Sequence, residues 1–259
     1  MPDHFIVLIG GPGLYASCDP AHDKSWKNYV VPMQIAAQKN LWKKQSGEII
    51  HWFVYEPPYK NRWDDDSEIT LSEWPAAKLY DTPLHNTRKA AADAITKKGA
   101  LNYLHRIQQF AANQGIRYHG LKKKGDIWTE IAKLPDGSIS RFWYSGHATD
   151  KHLFLSLSHD NSCTPIANSG DFIEQGDITA HSHLAKKFKS ASATPSKFYG
   201  CQTRSFAEKW HQVFGVPTEG STNKITFSVI GKGKRGLNVL ERLETEQAGT
   251  APVEWKTFP

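Results

Sequence analysis

Apolar residues arrive in this chain in short blocks, and the period of the text between them shifts from two to about three and a half. HFIVLIGG (4–11) is a compact apolar run halted by glycines, which predicts a strand buried on both faces. EIIHWFVYE (48–56) is β-branched and aromatic and predicts a second strand, ended by PPY. ISRFWYSGH (139–147) predicts a third, and LFLSLS (153–158) a further strand or hairpin arm. KFYGC (197–201) and KITFSVIG (224–231) read as two more buried strands, with VEWKTF near the end as an edge strand. Helical spacing fills the gaps. It is expected over 31–44, over 100–113 with Leu101, Leu104, Ile107, Gln108 and Ala111 recurring, and over DIWTEIAKL opened by Asp126. Asp177 is expected to cap a helix running to about Lys189, and a last helix spans 205–214, stopped by Gly215 as Gly115 stops the second.

Strands alternating with helices imply a largely parallel sheet covered on both faces, an α/β fold. The 259 residues are read as a single domain, 1–259, with a core of about 4–231 and a C-terminal extension over 232–259. The polar text from Lys60 to Asp81 holds Asp64, Asp65 and Asp66 together and opens an excursion or lid covering 60–98. A solvated loop explains that acidic trio more cheaply than a cation site.

Composition narrows the classes. A hydrophobic share of 39% and a charged share of 22% describe an ordinary globular chain. No run approaches the 18 apolar residues of a membrane helix, and MPDHFIVLIGGPG lacks a basic n-region. The expectation is a soluble protein with no membrane partner, cytoplasmic or secreted without a classical signal peptide. Net charge is +6, but the lysines fall in small groups such as Lys122 to Lys124 and Lys186 to Lys189, the pattern of solvated faces; nucleic acid is not a favoured partner. Three cysteines, Cys18, Cys163 and Cys201, with no C-x-x-C spacing argue against a disulfide framework and a zinc ribbon. HSH at His181 to His183 has the wrong spacing for two ligands on one helical face, so no metal and no cofactor is expected. GGPG at Gly10 to Gly13 lacks both phosphate-loop spacings and reads as a turn at the sheet edge.

Two predicted strands end on reactive side chains, one on Gly146-His147 and one on Gly200-Cys201. In a parallel sheet ligands gather outside the carboxyl ends of the strands, so neighbouring strands would present an imidazole and a thiol at one rim. A thiol with an ordinary pKa of about 8.5 needs a nearby imidazole or helix N-terminus to supply thiolate at neutral pH, and the helix expected from Ser205 follows Cys201 closely. His147 then acts as general base and acid, and backbone amides of Gly146, Ala148 and Cys201 are candidates for an oxyanion hole. The chemistry is acyl transfer, with hydrolysis as its usual outcome.

His147 precedes Cys201 by 54 residues (147 to 201), near the roughly 50-residue interval of caspases. With YSGH closing one strand and FYGC the next, the chain resembles the caspase-like (clan CD) cysteine peptidase superfamily, and its bacterial members more than the animal caspases. The motif similarity covers about residues 138–228. Ala148 stands where the family commonly has glycine after the histidine, and Q-A-C-x-G is absent. The resemblance implies a caspase-hemoglobinase-like α/β/α sandwich, His147 as the family histidine, Cys201 as its nucleophile, and a protein or peptide substrate. It also implies a possible role as a bacterial toxin or effector held by an inhibitory or immunity protein. Asp171 and Asp177 lie between the dyad strands and are candidates for an acidic pocket wall that suits Arg or Lys. His152, His159, His181 and His183 surround the same region, where one could replace His147 or bind a metal. Two other readings stand beside this one: a peptidoglycan amidase or other thiol acyltransferase, in which Cys normally precedes His, and a non-catalytic caspase-like or basic nucleic-acid-binding module.

Overall fold

The computed structural model describes residues 2–13, 26, 28–71, 102–159, 165–166, 171–189, 195–225, 227 and 253–259, without the side chains of 65–71, 159 and 165–166. Strand β1 (His4–Ile9) leads to helix α1 (Val30–Gln38), β2 (Ile49–Tyr55), α2 (Glu56–Leu71), α3 (Tyr103–Asn113) and β3 (Arg117–Leu121). Helix α4 (Gly125–Ala132) and β4 (Ile139–Ser145) follow. Two small antiparallel pairs come next, β5 (His152–Phe154) with β8 (Phe172–Glu174) and β6 (Ser158–His159) with β7 (Pro165–Ile166). The chain continues through α5 (Gln175–Ala180), a 3-10 turn (Ser182–Lys187), β9 (Ser196–Tyr199), α6 (Arg204–Phe214), β10 (Thr218–Ser221) and β11 (Trp255–Phe258).

Seven strands form one sheet in the order β11-β10-β9-β4-β1-β2-β3, parallel except for antiparallel β11 at the edge. The chain winds outward from β1 to β3, then returns to the other side of β1 and winds outward again. The two halves put their helices on opposite faces. Phe5, Val7, Ile9, Trp52, Val54 and Trp143 meet α1 and α3 through Val30, Met33, Ile107 and Ala111. Ile6, Leu8, Phe53, Phe142 and Phe198 meet α4 to α6 through Ile127, Ile131, Ile178, Trp210 and Phe214. Alternate residues of each strand serve alternate faces, as the pleat requires. The α/β sandwich with a mostly parallel sheet is therefore observed, and among the described residues no helix is long and apolar enough to cross a membrane.

Several expected elements are corrected. Residues 60–71, the start of the expected excursion, continue α2, so Asp64, Asp65 and Asp66 belong to a helix and not a loop, with Pro57 and Pro58 in the first turn, where a missing N–H costs nothing. Helix α1 stops at Gln38 instead of running to 44, because Asn40 (φ 48°) and Lys43 (φ 50°) turn the chain left-handed. Asp126 lies in the first turn of α4 and accepts from the Lys122 and Lys123 amides, so it braces the preceding turn. The expected helix from Asp177 to Lys189 breaks at His181, whose ring stacks on Trp128 with centroids 4.5 Å apart. Lys224 and Ile225 belong to no strand; β10 lies just before them, and most of 226–231 falls outside the described residues, as do Cys18 and Cys163.

At the amino edge a buried ion pair ties the sheet to the turn before β2. Arg141, 1% exposed, donates from Nη2 and Nε to the two oxygens of Glu48 at 2.7 and 3.1 Å, and from Nη1 to the Trp42 carbonyl at 2.6 Å. Its guanidinium lies 4.0 Å from the Phe5 ring centroid, and Ser140 Oγ donates to the same carboxylate. Removing one partner leaves an uncompensated charge in the interior, at about 3–5 kcal/mol, whereas replacing both by apolar residues is far less costly. Glu48→Ala is expected to lower stability by that amount in urea unfolding, and a double Glu48→Leu, Arg141→Met variant to lose less than the single one.

Candidate functional site

The register of two strands builds the rim. β4 and β9 run parallel with Tyr144 opposite Phe198 and Ser145 opposite Tyr199, and the Gly146 amide extends the ladder by donating to the Tyr199 carbonyl at 3.1 Å. Gly146-His147 and Gly200-Cys201 thus leave the carboxyl edge side by side. Close approach there requires glycine at 200, because a Cβ would stand 2.7 Å from the Ala148 Cβ and 3.0 Å from the Gly146 oxygen. GGPG, after β1, is the expected edge turn: Gly10 N–H donates to Ser145 O and Gly11 N–H to Leu155 O.

His147 is half-buried and held by its backbone and its ring. Its carbonyl accepts from the Phe154 amide at 2.8 Å, and the single hydrogen of the Tyr144 hydroxyl is shared between that carbonyl and Phe154 O, 2.7 Å away. Its ring meets the edge of buried Tyr29 at 5.0 Å between centroids, and Tyr29 in turn packs on Phe227 at 4.8 Å. Cys201 occupies a sharp passage from strand to helix: Gln202 is left-handed (φ 55°), Thr203 is the N-cap, and α6 starts at Arg204. A left-handed residue without glycine costs of order 1–3 kcal/mol and persists only where its surroundings enforce it. Here Gln202 N–H donates to Asn223 O at 3.0 Å, Thr203 Oγ1 to Phe198 O at 2.8 Å, and Ser221 Oγ to Gly200 O at 2.6 Å. Ser205, in the first turn of α6, donates to the Asp150 carbonyl at 2.7 Å and joins the two loops that carry the dyad.

The thiol donates to the Ile225 carbonyl oxygen at 3.5 Å and makes no hydrogen bond to the His147 ring. Burial pushes the Cys201 thiol above its ordinary pKa; the Ile225 backbone and the Lys224 charge pull the other way and are outweighed. Burial thus opposes the thiolate form that a nearby imidazole or helix N-terminus would favour. The expected oxyanion donors divide. Gly146 N–H is spent on Tyr199 O, whereas the Ala148 and Cys201 amides meet no acceptor among the described residues.

The two acidic candidates also divide. Asp171 lies at the carboxyl rim, where Tyr55 Oη donates to its Oδ1 at 3.3 Å and its carbonyl accepts from Leu155 and Ser156. Asp177 is the N3 member of a capping box with Glu174 and forms an ion pair with Lys124 at 2.9 Å, so its charge is already engaged. Among the substitute histidines, His181 bonds Asp177 O at 2.8 Å, and His152 lies 3.6 Å from Glu174. No group of three or more potential metal ligands occurs among the described residues. A cleft of about 550 Å³ at the opposite edge is lined by Asn40, Trp42, Lys44, Gly47, Ile50 and Ile116, and neither dyad residue borders it. Sequence reasoning missed Tyr29, Tyr144, Gln202 and Ser205; only Tyr144, two positions before Gly146 in YSGH, carried a local signal.

No protein-family model, curated protein or solved structure matches this chain.

Two measurements check this geometry. Gly200→Ala is expected to lower stability by about 1–3 kcal/mol in thermal unfolding, because the contact it meets is backbone and the short side chain of Ala148. The iodoacetamide alkylation rate of Cys201, followed by peptide mass spectrometry, is expected to rise with a midpoint above about 8.5, and a midpoint below that value would contradict the buried-thiol environment.

Proposed function

We propose that the chain is a cysteine hydrolase of amide bonds, caspase-like in its use of a histidine and a cysteine on adjacent strands. The observation that carries the reading is the register of β4 on β9, which sends Gly146-His147 and Gly200-Cys201 out of the sheet together. In this mechanism Cys201 Sγ leaves the Ile225 carbonyl and attacks the substrate carbonyl carbon as its proton passes to His147. The raised thiol pKa makes this general-base transfer coupled to attack, not reaction of a standing thiolate. The oxyanion of the tetrahedral intermediate accepts from the Ala148 and Cys201 amides. The His147 imidazolium returns the proton to the leaving amine, and water, deprotonated by the same ring, then cleaves the thioester. Of the two acidic candidates, Asp171 is the one at the carboxyl rim, where it accepts from Tyr55, and is the wall residue that a basic substrate side chain would meet, whereas Asp177 is paired with Lys124.

One observation favours a rival, a non-catalytic module of the same architecture: the thiol is satisfied by a carbonyl and held protonated by burial. Labelling with a panel of electrophilic peptides separates the two, since the hydrolase forms an adduct on Cys201 detectable by mass spectrometry and the module forms none. Under the leading reading Cys201→Ala and His147→Ala each reduce peptide hydrolysis by roughly 1000-fold or more with unchanged circular dichroism. Hydrolysis retained in either variant counts against the assignment.

A further inference from the structure

Three histidines on three neighbouring strands form a continuous row beneath α4. His4 Nδ1 lies 2.8 Å from His51 Nε2, His51 Nδ1 lies 2.9 Å from His119 Nε2, and His119 Nδ1 lies 2.9 Å from Glu130 Oε2. The sequence puts them there by register: His51 pairs with Ile6, two positions beyond His4, and His119 with Phe53, two beyond His51, so all three rings share one face. His51 is 1% exposed and His4 5%, while Glu130 reaches solvent and is paired with Lys133.

The hydrogen count of this row is constrained. Lys133 and His119 hold the Glu130 carboxyl below its ordinary pKa, so it accepts only, and His119 Nδ1 must carry the hydrogen. With its hydrogen on Nδ1, His119 accepts at Nε2 from His51 Nδ1–H, and His51 accepts at Nε2 from His4 Nδ1–H. His4 Nε2 ends the row with no hydrogen-bond partner among the described residues. Each of the three contacts holds one hydrogen. One further proton fits at His4 Nε2 and can pass along the rings to rest beside Glu130. A second added proton puts two hydrogens into one contact and forces it open.

We propose that this row is an acid-operated latch that fastens β3 and α4 to the sheet, tolerating one added proton and releasing on the second. The groups facing it are consistent with release in acid. Arg117 on β3 opposes protonation of His4 and His51; Asp3, itself paired with Lys189, favours it at His4; Glu130 and Lys133 flank His119. Burial and the neighbouring rings push the His51 pKa down to about 3, so the folded row resists protons that an open chain takes up below about 6.5. The sign follows: stability conferred by the row is complete above about pH 6.5 and is lost as pH falls towards 3. Release has a route to the rim, because the turn between β3 and α4 carries Lys124, the partner of Asp177 at the start of α5.

The test uses the full chain. Nitrogen-15 spectra at pH 7 are expected to show all three rings as the Nδ1–H tautomer. Hydrogen exchange followed from pH 7 to 4.5, corrected for intrinsic rates, is expected to show β3 and α4 opening roughly 100-fold more per pH unit below 6.5, as two extra protons require, while β9 and α6 stay protected. Because His51→Phe risks failing to fold, Glu130→Gln is the working variant; loss of the carboxylate anchor moves the opening to higher pH. An Nε2–H tautomer at His51, pH-independent exchange in β3, simultaneous loss across the whole sheet, or an unshifted Glu130→Gln profile overturns the proposal.

Discussion

The hydrogen bond from Gly146 N–H to Tyr199 O is the contact on which the candidate site depends. It extends the β4–β9 ladder past the last paired residues and holds two strand ends together before their chains diverge. A parallel sheet spaces its strands about 4.8 Å apart, which is closer than most side chains allow two loops to run. Gly200 resolves the conflict by having no Cβ, and Ala148 fills the space left. A one-residue slip of β9 would turn every side chain to the opposite face and carry Cys201 away with it, so burial of Phe198 in one core and Tyr199 in the other enforces the position of the thiol.

The two edges of the sheet solve different problems. The amino edge gathers buried polar groups and pairs them with one another, the Arg141 and Glu48 pair on one face and the histidine row on the other, with only His4 Nε2 left over at the end of the row among the described residues. Such groups are costly to bury and more costly to leave unpaired, and they fix the relative positions of β1 to β4. The carboxyl edge instead leaves the Ala148 and Cys201 amides without acceptors among the described residues and bends Gln202 into a left-handed turn. Unspent donors and local strain are features a scaffold stabilises elsewhere and concentrates where a ligand binds.

Most of the buried strands were legible because their composition has one explanation. HFIVLI, IIHWFVY and ISRFWYS are too short and too β-branched or aromatic for helices, and each is a central strand. The edge strand β3 was not legible: RYHGL holds an arginine and a glycine, and its Gly120 exists because the Glu56 carboxylate would stand 2.0 Å from a Cβ there. β10 was hidden for a related reason. TEGS is polar because Thr218 donates to the Ala207 carbonyl of α6 and Ser221 to Gly200, and Gly220 lies against the Thr203 oxygen. Both strands owe their state to neighbours distant in the chain, which a local window does not contain.

The sequence by itself determined the α/β alternation, the strand-end positions of His147 and Cys201, and the edge turn at Gly10, because period, glycine and chain order are local properties. Only the tertiary structure decided that β4 and β9 are neighbours, that Gly146 N–H is consumed by Tyr199 O, that Asp177 is paired with Lys124, and that Asp171 accepts from Tyr55 at the rim. It alone decided that burial pushes the thiol pKa up and that three histidines from positions 4, 51 and 119 form one row. The physical reason is shared: hydrogen-bond allotment and desolvation depend on which distant groups occupy the same few ångströms, and sheet register sets that neighbourhood.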